Sequence, residues 1–248
     1  MTSTIRRLPL ASATTPLTGT GLRKQIDNKT LWSGLDVTFL PGTITALVGP
    51  SGAGKTTLLN CLGLLEPLTE GTLTYNGVPL SSRGRQRRSL YRKSFGFMFQ
   101  NFGLIEQWDV FDNLSVPLRA GRVPKRERNR RIEDALALVE LSGRQNDPVH
   151  VLSGGEQQRV AFARLVLHQP EVVFVDEPTA SLDALNGDHI IDLLRKLTAA
   201  GAIVIVSTHD SHVRDRADSI LELPSGVHIA NPSPAKEPSD PAGVLRSS

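Results

Sequence analysis

The sequence predicts an α/β fold in which helices cover a parallel β-sheet. Two segments, residues 172–175 and 202–206, are apolar throughout and rich in β-branched side chains, which is typical of strands buried on both faces. A helical pattern over residues 187–197 lies between them and completes a strand-helix-strand unit. A glycine-rich loop at residues 49–56, which follows a strand and precedes a helix, indicates a further unit of the same class.

Length and composition indicate one globular domain. The chain has 248 residues, of which 39% are apolar and 21% are charged, close to the averages of globular proteins. No apolar run reaches the roughly 18 residues that mark a transmembrane helix. The single cysteine, Cys61, cannot form an internal disulfide, and Arg6 and Arg7 precede Pro9 and polar residues instead of an apolar signal core. We therefore expect a cytoplasmic protein.

The first part of the chain is predicted to contain two hairpins. Residues 1–20, rich in Ser, Thr and Pro, are expected to form a flexible leader that donates a strand near its end. Residues 35–39 alternate between apolar and polar, and Pro41-Gly42 turns the chain into a strand at residues 44–48, so these two strands are predicted to pair. Asn76-Gly77 suits the type I′ turn of a second hairpin.

A helical lobe is predicted after a strand at residues 95–99. It is expected to span residues 101–165 within a domain of residues 21–230, because apolar side chains recur on one helical face from Pro124 onward. That face comprises Ile132, Ala135, Leu136 and Val139, and Gly143 is suited to end the helix. Residues 231–248 contain four prolines and are predicted to be a disordered tail.

The glycine-rich loop has the composition of a phosphate-binding loop. A simple turn would need only one or two glycines, whereas the strand-to-helix context makes this a strong Walker A match. Glycines let successive N–H groups face a phosphate, and the helix N-terminus adds a positive dipole end. Lys55 is predicted to reach the β- and γ-phosphates of a nucleoside triphosphate, and Thr56 to bind Mg²⁺. The predicted nucleotide contacts are Gly49, Pro50, Ser51, Gly52, Ala53, Gly54, Lys55, Thr56 and Thr57.

Two adjacent carboxylates follow the apolar strand at residues 172–175. Acidic residues also end strands for ordinary turn reasons, but the carboxyl edge of a parallel sheet is where ligands bind in such folds. Because a phosphate loop is predicted as well, Asp176 is expected to hold Mg²⁺, directly or through water. Glu177 is then free to polarise an attacking water.

A second anion-binding helix start is predicted at residues 152–159. Ser153 and Glu156 have the spacing of a capping box, which accounts for those two residues. It does not account for Gly154 and Gly155, because glycine costs up to roughly 1 kcal/mol relative to alanine in a helix interior. Bare backbone at a helix N-terminus suits the close approach of an anion, with the Ser153 hydroxyl as a further donor.

Together these motifs resemble those of the ATP-binding-cassette (ABC) family over residues 21–230. Residues 152–159 resemble its signature motif, with Walker A upstream and Asp176, the Walker B candidate, downstream. The resemblance implies a P-loop NTPase core with an antiparallel β subdomain and an inserted helical subdomain. It also implies a head-to-tail homodimer, in which Ser153 and Gly155 of one copy close over the γ-phosphate of an ATP that Lys55 of the other copy holds.

Three further residues match functional positions of the family. Gln100 resembles the Q-loop glutamine that senses Mg²⁺ and the γ-phosphate, so the implied metal set is Thr56, Gln100 and Asp176. Asp183 resembles the D-loop aspartate near the dimer seam. His209 resembles the switch histidine that contacts the γ-phosphate.

One position departs from the family pattern. The family stacks adenine on an aromatic residue, and Ile26 occupies that position here. Stacking on an aromatic ring contributes roughly 1–3 kcal/mol, whereas isoleucine can cover the base only with apolar surface. Weaker or less base-selective nucleotide binding is therefore expected.

Two basic clusters stand out against a net charge of only +3. They are either ordinary solvated faces or surfaces attracted to anionic lipid headgroups or nucleic acid. Few aromatic residues interleave with them, so no nucleic acid partner is expected. The clusters comprise Arg83, Arg85, Arg87, Arg88, Arg92 and Lys93, and Lys125, Arg126, Arg128, Arg130 and Arg131.

The resemblance implies an ATPase that powers a membrane permease carried by a separate chain, at the cytoplasmic face of the plasma membrane. Residues 99–102 and the motifs after them are similar to exporters of the macrolide-efflux, lipoprotein-release and bacteriocin group. The apolar stretch after Gln100 either contacts the permease, with Phe102 and Trp108 as the expected contacts, or packs within the helical lobe.

Two other functions remain open at this point. A soluble ABC-type ATPase acting on nucleic acid or ribosomes would usually carry a long coiled coil or two cassettes in one chain, and neither is present in this sequence. A small-molecule kinase could share the phosphate loop, but it has no evident use for the signature helix.

Overall fold

The computed structural model describes residues 12–179 and 184–223, which contain two β-sheets and seven α-helices. A five-stranded parallel sheet, in the order β6-β7-β8-β3-β9, forms the centre, and a four-stranded antiparallel sheet, in the order β2-β1-β4-β5, packs beside it. The elements are β1 (Leu17–Ile26), β2 (Lys29–Phe39), β3 (Ile44–Val48), α1 (Lys55–Leu62), β4 (Glu70–Tyr75), β5 (Val78–Pro79), α2 (Gly84–Lys93), β6 (Phe95–Met98), α3 (Val110–Ala120), α4 (Lys125–Leu138), α5 (Gly154–His168), β7 (Val172–Asp176), α6 (Ala184–Ala199), β8 (Ile203–Ser207), α7 (Ser211–Asp215) and β9 (Ser219–Glu222).

The parallel sheet is buried on both faces, as its apolar strands predict. In β7, Val173 and Val175 belong to a core shared with α3, α4, α5 and α6. Val172 and Phe174 point the other way, into a core shared with α1 and the antiparallel sheet. Two hydrophobic cores therefore meet at the sheet, and the carboxyl ends of its strands are held rigidly for a binding site.

The predicted hairpin between residues 35–39 and 44–48 is wrong. β2 pairs with β1 in the antiparallel sheet, whereas β3 lies in the parallel sheet between β8 and β9. The first four residues of β3 are all buried, which a central strand needs and a half-exposed hairpin strand does not. The Pro41-Gly42 turn therefore leads the chain from one sheet to the other.

The antiparallel sheet confirms the second predicted hairpin. It also includes residues that were predicted to belong to the flexible leader. Asn76 and Gly77 both have positive φ, 53° and 70°, as a type I′ turn requires. β1 begins at Leu17, which is fully buried, and Ala13 is also buried. Residues 12–20 therefore pack on the domain, whereas the sequence predicted a flexible leader up to Thr20. Residues 1–11 and the predicted tail lie outside the described residues.

The helical lobe contains α3, α4, a short 3-10 turn at Val149–Val151 and α5. Ile132, Ala135, Leu136 and Val139 are buried on one face of α4 and its end, as their spacing predicts. α5 packs against both α3 and α4 and also contacts the edge strand β6. Within the part of the chain that the structure describes, no helix has the length and apolar character needed to cross a bilayer.

Candidate functional site

The glycine-rich loop connects β3 to α1 and wraps around the Lys55 ammonium group. Lys55 Nζ donates to the carbonyl oxygens of Gly49 and Pro50, at 2.9 and 3.4 Å. The loop needs left-handed glycines: Gly52 and Gly54 have φ of 78° and 88°, and Gly54 caps the N-terminus of α1. The result is a tight loop whose lysine starts a helix, which is the arrangement that binds phosphate.

Gly54 also lies against a tryptophan that the sequence analysis did not connect with the site. A Cβ atom at Gly54 would be 3.1 Å from Trp32 Nε1 and 3.2 Å from Leu31 Cδ1. Trp32 is almost fully buried, and its indole N–H has no hydrogen-bond partner among the described residues. The β2 strand therefore packs closely behind the phosphate loop, and a side chain at this position would crowd Trp32 and Leu31.

The predicted metal ligands Thr56 and Asp176 are neighbours. Thr56 Oγ1 donates to Asp176 Oδ1 at 2.9 Å, across the space between α1 and β7. Ser207 Oγ donates to the same oxygen. Ser207 was missed by the sequence analysis, although it ends β8 directly opposite Asp176 in the parallel register, which is the signal that could have identified it.

These groups fit a magnesium ion. Mg²⁺ prefers hard oxygen ligands, and in phosphate-loop enzymes it takes the loop hydroxyl and the strand-end carboxylate together with phosphate oxygens. Gln100, the third predicted metal ligand, lines the same cleft as Thr56 and Asp176. Asn60, Leu65, Phe99 and Asn101 complete the lining and were not predicted.

Glu177, the residue after Asp176, is in contact with His209. Glu177 Oε2 lies 2.7 Å from His209 Nδ1, and the His209 N–H donates to the same oxygen at 3.4 Å. The backbone of Glu177 has a positive φ of 45°, held by its N–H bond to the Ser207 carbonyl at 3.0 Å. This unusual conformation turns the carboxylate away from the path of β7, because a left-handed residue breaks the alternation of a strand.

The second predicted anion site is the start of α5. Ser153 and Glu156 form a complete capping box: the Glu156 N–H donates to Ser153 Oγ, and the Ser153 N–H and hydroxyl donate to Glu156 Oε2 at 2.8 and 2.9 Å. These bonds, together with the neighbouring Arg144, hold the pKa of Glu156 below its usual value. The carboxylate therefore stays charged and fixes the helix start.

Gly154 is not required by the packing of its own chain. A Cβ atom there would have no neighbour within 4 Å, in contrast to Gly54. Ser153 and Gly154 are both exposed, so the first turn of α5 offers open backbone to its surroundings, and Gly155 follows directly in the same turn. The capping box explains Ser153 and Glu156 without explaining this glycine, as the sequence analysis argued.

A buried glutamine links α5 to the segment that follows β7. Gln158 is 1% exposed, and its Nε2 donates to the carbonyl oxygen of Pro178, the residue after Glu177. Gln157, its neighbour, instead donates to the Leu152 carbonyl at the start of its own helix, at 3.0 Å. The sequence analysis missed Gln158, because its partner belongs to a distant segment.

Two of the remaining predicted residues, Ile26 and Thr57, lie in the described part of the chain. Ile26 ends β1 and is 44% exposed, next to the turn at Asp27. Thr57 follows Thr56 in the first turn of α1 and is half-buried. Asp183 lies outside the described residues.

Both the sequence and the fold match known proteins. The sequence model of the family described as "ABC transporter" matches residues 32–180. A macrolide export ATP-binding/permease protein, MacB, from Azoarcus sp. (strain BH72) is 38% identical over 204 residues, which are 82% of this chain and 31% of that protein. An uncharacterized ABC transporter ATP-binding protein of Methanocaldococcus jannaschii is 38% identical over 193 residues, covering 77% of this chain and 86% of that protein.

A solved structure has the same fold. It is a dimeric post-hydrolysis state of the ATP-binding cassette MJ0796 bound to ADP and Pi, with a TM-score of 0.77 and 31% identity over 85% of this chain and 95% of that one. The present chain spans about a third of the length of the MacB relatives. The matched region includes the phosphate loop, the carboxylate pair and the signature helix. This chain belongs to the ABC transporter family and is one of its ATP-hydrolysing cassettes, with the P-loop NTPase fold.

Proposed function

We propose that this cassette is a separate subunit that hydrolyses ATP to drive export through a membrane permease, and that it does so as a homodimer. The observation that carries the proposal is the pair of anion sites on one chain: the phosphate loop at Lys55 and the open helix start at Ser153 and Gly154. The phosphate loop alone can bind the phosphates of one nucleotide. The presence of a second anion site on the same chain therefore has to be explained.

Binding to a second copy of the chain explains the second anion site. In the proposed dimer, Ser153, Gly154 and Gly155 of one copy approach the γ-phosphate held by Lys55 of the other, and Asp183 lies near the seam. The open space around Gly154 supports the proposed dimer. Because packing within its own chain does not require a glycine there, the bare backbone can instead accommodate the nucleotide that the partner copy holds. The solved cassette MJ0796 is itself described as dimeric.

Within each site the residues have separate roles. Residues 49–57 hold the phosphates, Thr56, Asp176 and Gln100 hold Mg²⁺, and Ile26 covers the adenine. Mg²⁺, when bound, would neutralise charge on the terminal phosphates. Glu177 orients and polarises the attacking water, and His209, in contact with Glu177, reaches toward the γ-phosphate.

The proposal of export through a permease is supported by the MacB relatives, whose name describes a macrolide export ATP-binding/permease protein. In this chain, the contact surface for the permease is the segment after Gln100. Phe102 has a positive φ of 61°, and its carbonyl accepts a bond from Arg164 at 2.9 Å, so the turn is fixed on α5. Trp108 is 37% exposed, as a partner contact requires. The subunit would thus sit at the cytoplasmic face of the plasma membrane.

Dimerisation of a hydrolysis-deficient variant tests the proposal. Purified Glu177→Gln protein is expected to change from monomer to dimer when Mg-ATP is added, and Ser153→Arg in the same background is expected to prevent the change. Mg-ADP is the control nucleotide, since it lacks the γ-phosphate that joins the two copies. A protein that stays monomeric at saturating Mg-ATP, both alone and with its copurified permease, would overturn the proposed dimer. Copurification with nucleic acid in place of a membrane protein would overturn the transport role.

A further inference from the structure

Helix α2 is the most basic element of the described structure. Its ten residues include five cationic side chains and no acidic one, whereas α4 has five cationic and three acidic side chains among 14 residues. None of the residues of α2 is buried. The helix therefore concentrates positive charge at the surface of a chain whose net charge is only +3.

The four arginines of α2 separate into two sets. Leu90 and Tyr91 are half-buried and pack against the core, and the guanidinium of Arg87 lies 5.8 Å from the centre of the Tyr91 ring. Arg85, Arg88 and Arg92 are exposed and follow one another at helical spacings of three and four residues, so they share one face. We name these three residues the arginine stripe.

Within the described part of the chain, no carboxylate neutralises the arginine stripe. Among residues 12–179 and 184–223, no acidic side chain lies within ion-pair distance of Arg85, Arg88 or Arg92. In contrast, Arg131 of α4 pairs with Glu127 at 3.2 Å. Unpaired like charges on one face repel each other, and the helix gains electrostatic stability when a surface of opposite charge approaches.

The position of α2 indicates which negatively charged surface can approach the arginine stripe. Tyr91 lines a groove of about 260 Å³ together with Val116 and Ala120 of α3 and with Arg164. Arg164 also holds the turn at Phe102, which we assign to the permease contact. Helix α2, which carries the arginine stripe, thus lies beside the face that the proposed function directs toward the membrane, and the inference below rests on that proposed function for its geometry.

We propose that the arginine stripe of α2 binds the anionic headgroups of the membrane that holds the permease. A bilayer surface requires only a sufficient density of positive charge on one face, which the stripe has. Nucleic acid that is bound without base pairing usually needs aromatic platforms as well, and the one aromatic ring of α2, Tyr91, is packed against the core. Each cationic residue near an anionic bilayer changes partitioning about fivefold.

Vesicle flotation with the purified full chain tests this inference directly. The chain is expected to bind vesicles that contain about 30–40% of the anionic lipid phosphatidylglycerol far more strongly than vesicles of pure phosphatidylcholine. The triple variant Arg85→Gln, Arg88→Gln, Arg92→Gln is expected to lower the partition coefficient about a hundredfold at low salt. The matched control is Lys125→Gln, Arg126→Gln, Arg130→Gln in α4, which removes the same charge from exposed positions.

Three outcomes would overturn the inference. The first is equal binding to anionic and neutral vesicles, and the second is an equal loss in both triple variants, which would indicate net charge alone. The third is unchanged vesicle binding by the α2 variant together with lost binding to nucleic acid or to the permease, which would assign the stripe to that partner. Nucleotide binding by both variants confirms that they fold. Because the assay uses the free chain, its failure leaves the dimer and permease tests unaffected.

Discussion

The carboxylate of Glu177 lies 2.7 Å from the imidazole of His209, and the two side chains differ greatly in exposure, at 15% and 69%. The largely buried carboxylate is fixed at its backbone by Ser207, whereas the histidine reaches it from the solvent side. The Glu177 carboxylate is thus held at its backbone and contacted by an exposed side chain, which suits the role of general base proposed for it. This contact makes Glu177 the residue on which turnover should depend most strongly.

Glu177→Gln is expected to retain ATP binding and to lower turnover by about two to four orders of magnitude. The amide cannot act as a general base, while the phosphate loop and its contacts are unchanged. Phosphate release measures turnover, and nucleotide titration measures binding. Glu133→Gln, at an exposed position of α4, is the control and should behave as the parent protein. Turnover at the parent rate in Glu177→Gln would remove this residue from catalysis.

Gly54→Ala is expected to unfold at a lower temperature than Gly52→Ala. Both glycines have left-handed φ, so both variants carry backbone strain, but only a Cβ at Gly54 meets neighbours, Trp32 and Leu31, at 3.1 and 3.2 Å. The added crowding should cost about 1–3 kcal/mol, or roughly 2–4 °C in melting temperature for each kcal/mol. Thermal unfolding without nucleotide measures this difference. Equal melting temperatures would show that Trp32 yields freely and does not support the loop.

Gln158→Leu is expected to lower turnover about ten- to a hundredfold while nucleotide affinity stays near that of the parent. Leucine fills the space but cannot donate to the Pro178 carbonyl, so the segment that carries Glu177 loses its link to α5. The phosphate loop makes no contact with this bond. Stability should also fall by about 1–3 kcal/mol, because a buried carbonyl loses its donor.

The matched control for this link is Gln157→Leu. Among the described residues, its side chain bonds only to the Leu152 carbonyl of the same helix start, so the segment that carries Glu177 should be unaffected. A specific role for Gln158 therefore requires reduced kcat in Gln158→Leu alone. Equal reductions in both variants would mean that α5 is merely weakened, and the link to Pro178 would carry no catalytic importance.

The motifs could be predicted from sequence because their signals are local. The phosphate loop, the Asp176-Glu177 pair and the strand patterns each occupy one short segment, and the structure brings Thr56 to Asp176 as the pattern requires. Pairing between distant segments gave no such signal. β2 and β3 are joined by a turn dipeptide that suits a hairpin, yet β3 is drawn into the parallel sheet because its burial on both faces outweighs the local turn.

The supporting residues of the site were missed for the same physical reason. Ser207 contacts Asp176 from 31 positions away, and Gln158 contacts Pro178 from 20 positions away, so neither contact leaves a periodic pattern in the chain. Trp32 reads as an ordinary core residue, and its place behind Gly54 follows only from the packing of β2 on the loop. The motif residues could be predicted from their own short segments, whereas these three residues contact the motifs from elsewhere in the chain.

Ile26→Tyr is expected to tighten ATP binding by about one to two orders of magnitude. Ile26 is 44% exposed at the end of β1, so a larger ring can be added without displacing the core. The aromatic ring would stack on adenine, whereas isoleucine offers only apolar cover. Ile26→Leu is the control, since it preserves apolar surface without a ring. Titration with ATP should separate the two variants, and an affinity in Ile26→Tyr that is unchanged or weaker would mean that adenine is bound elsewhere on this surface.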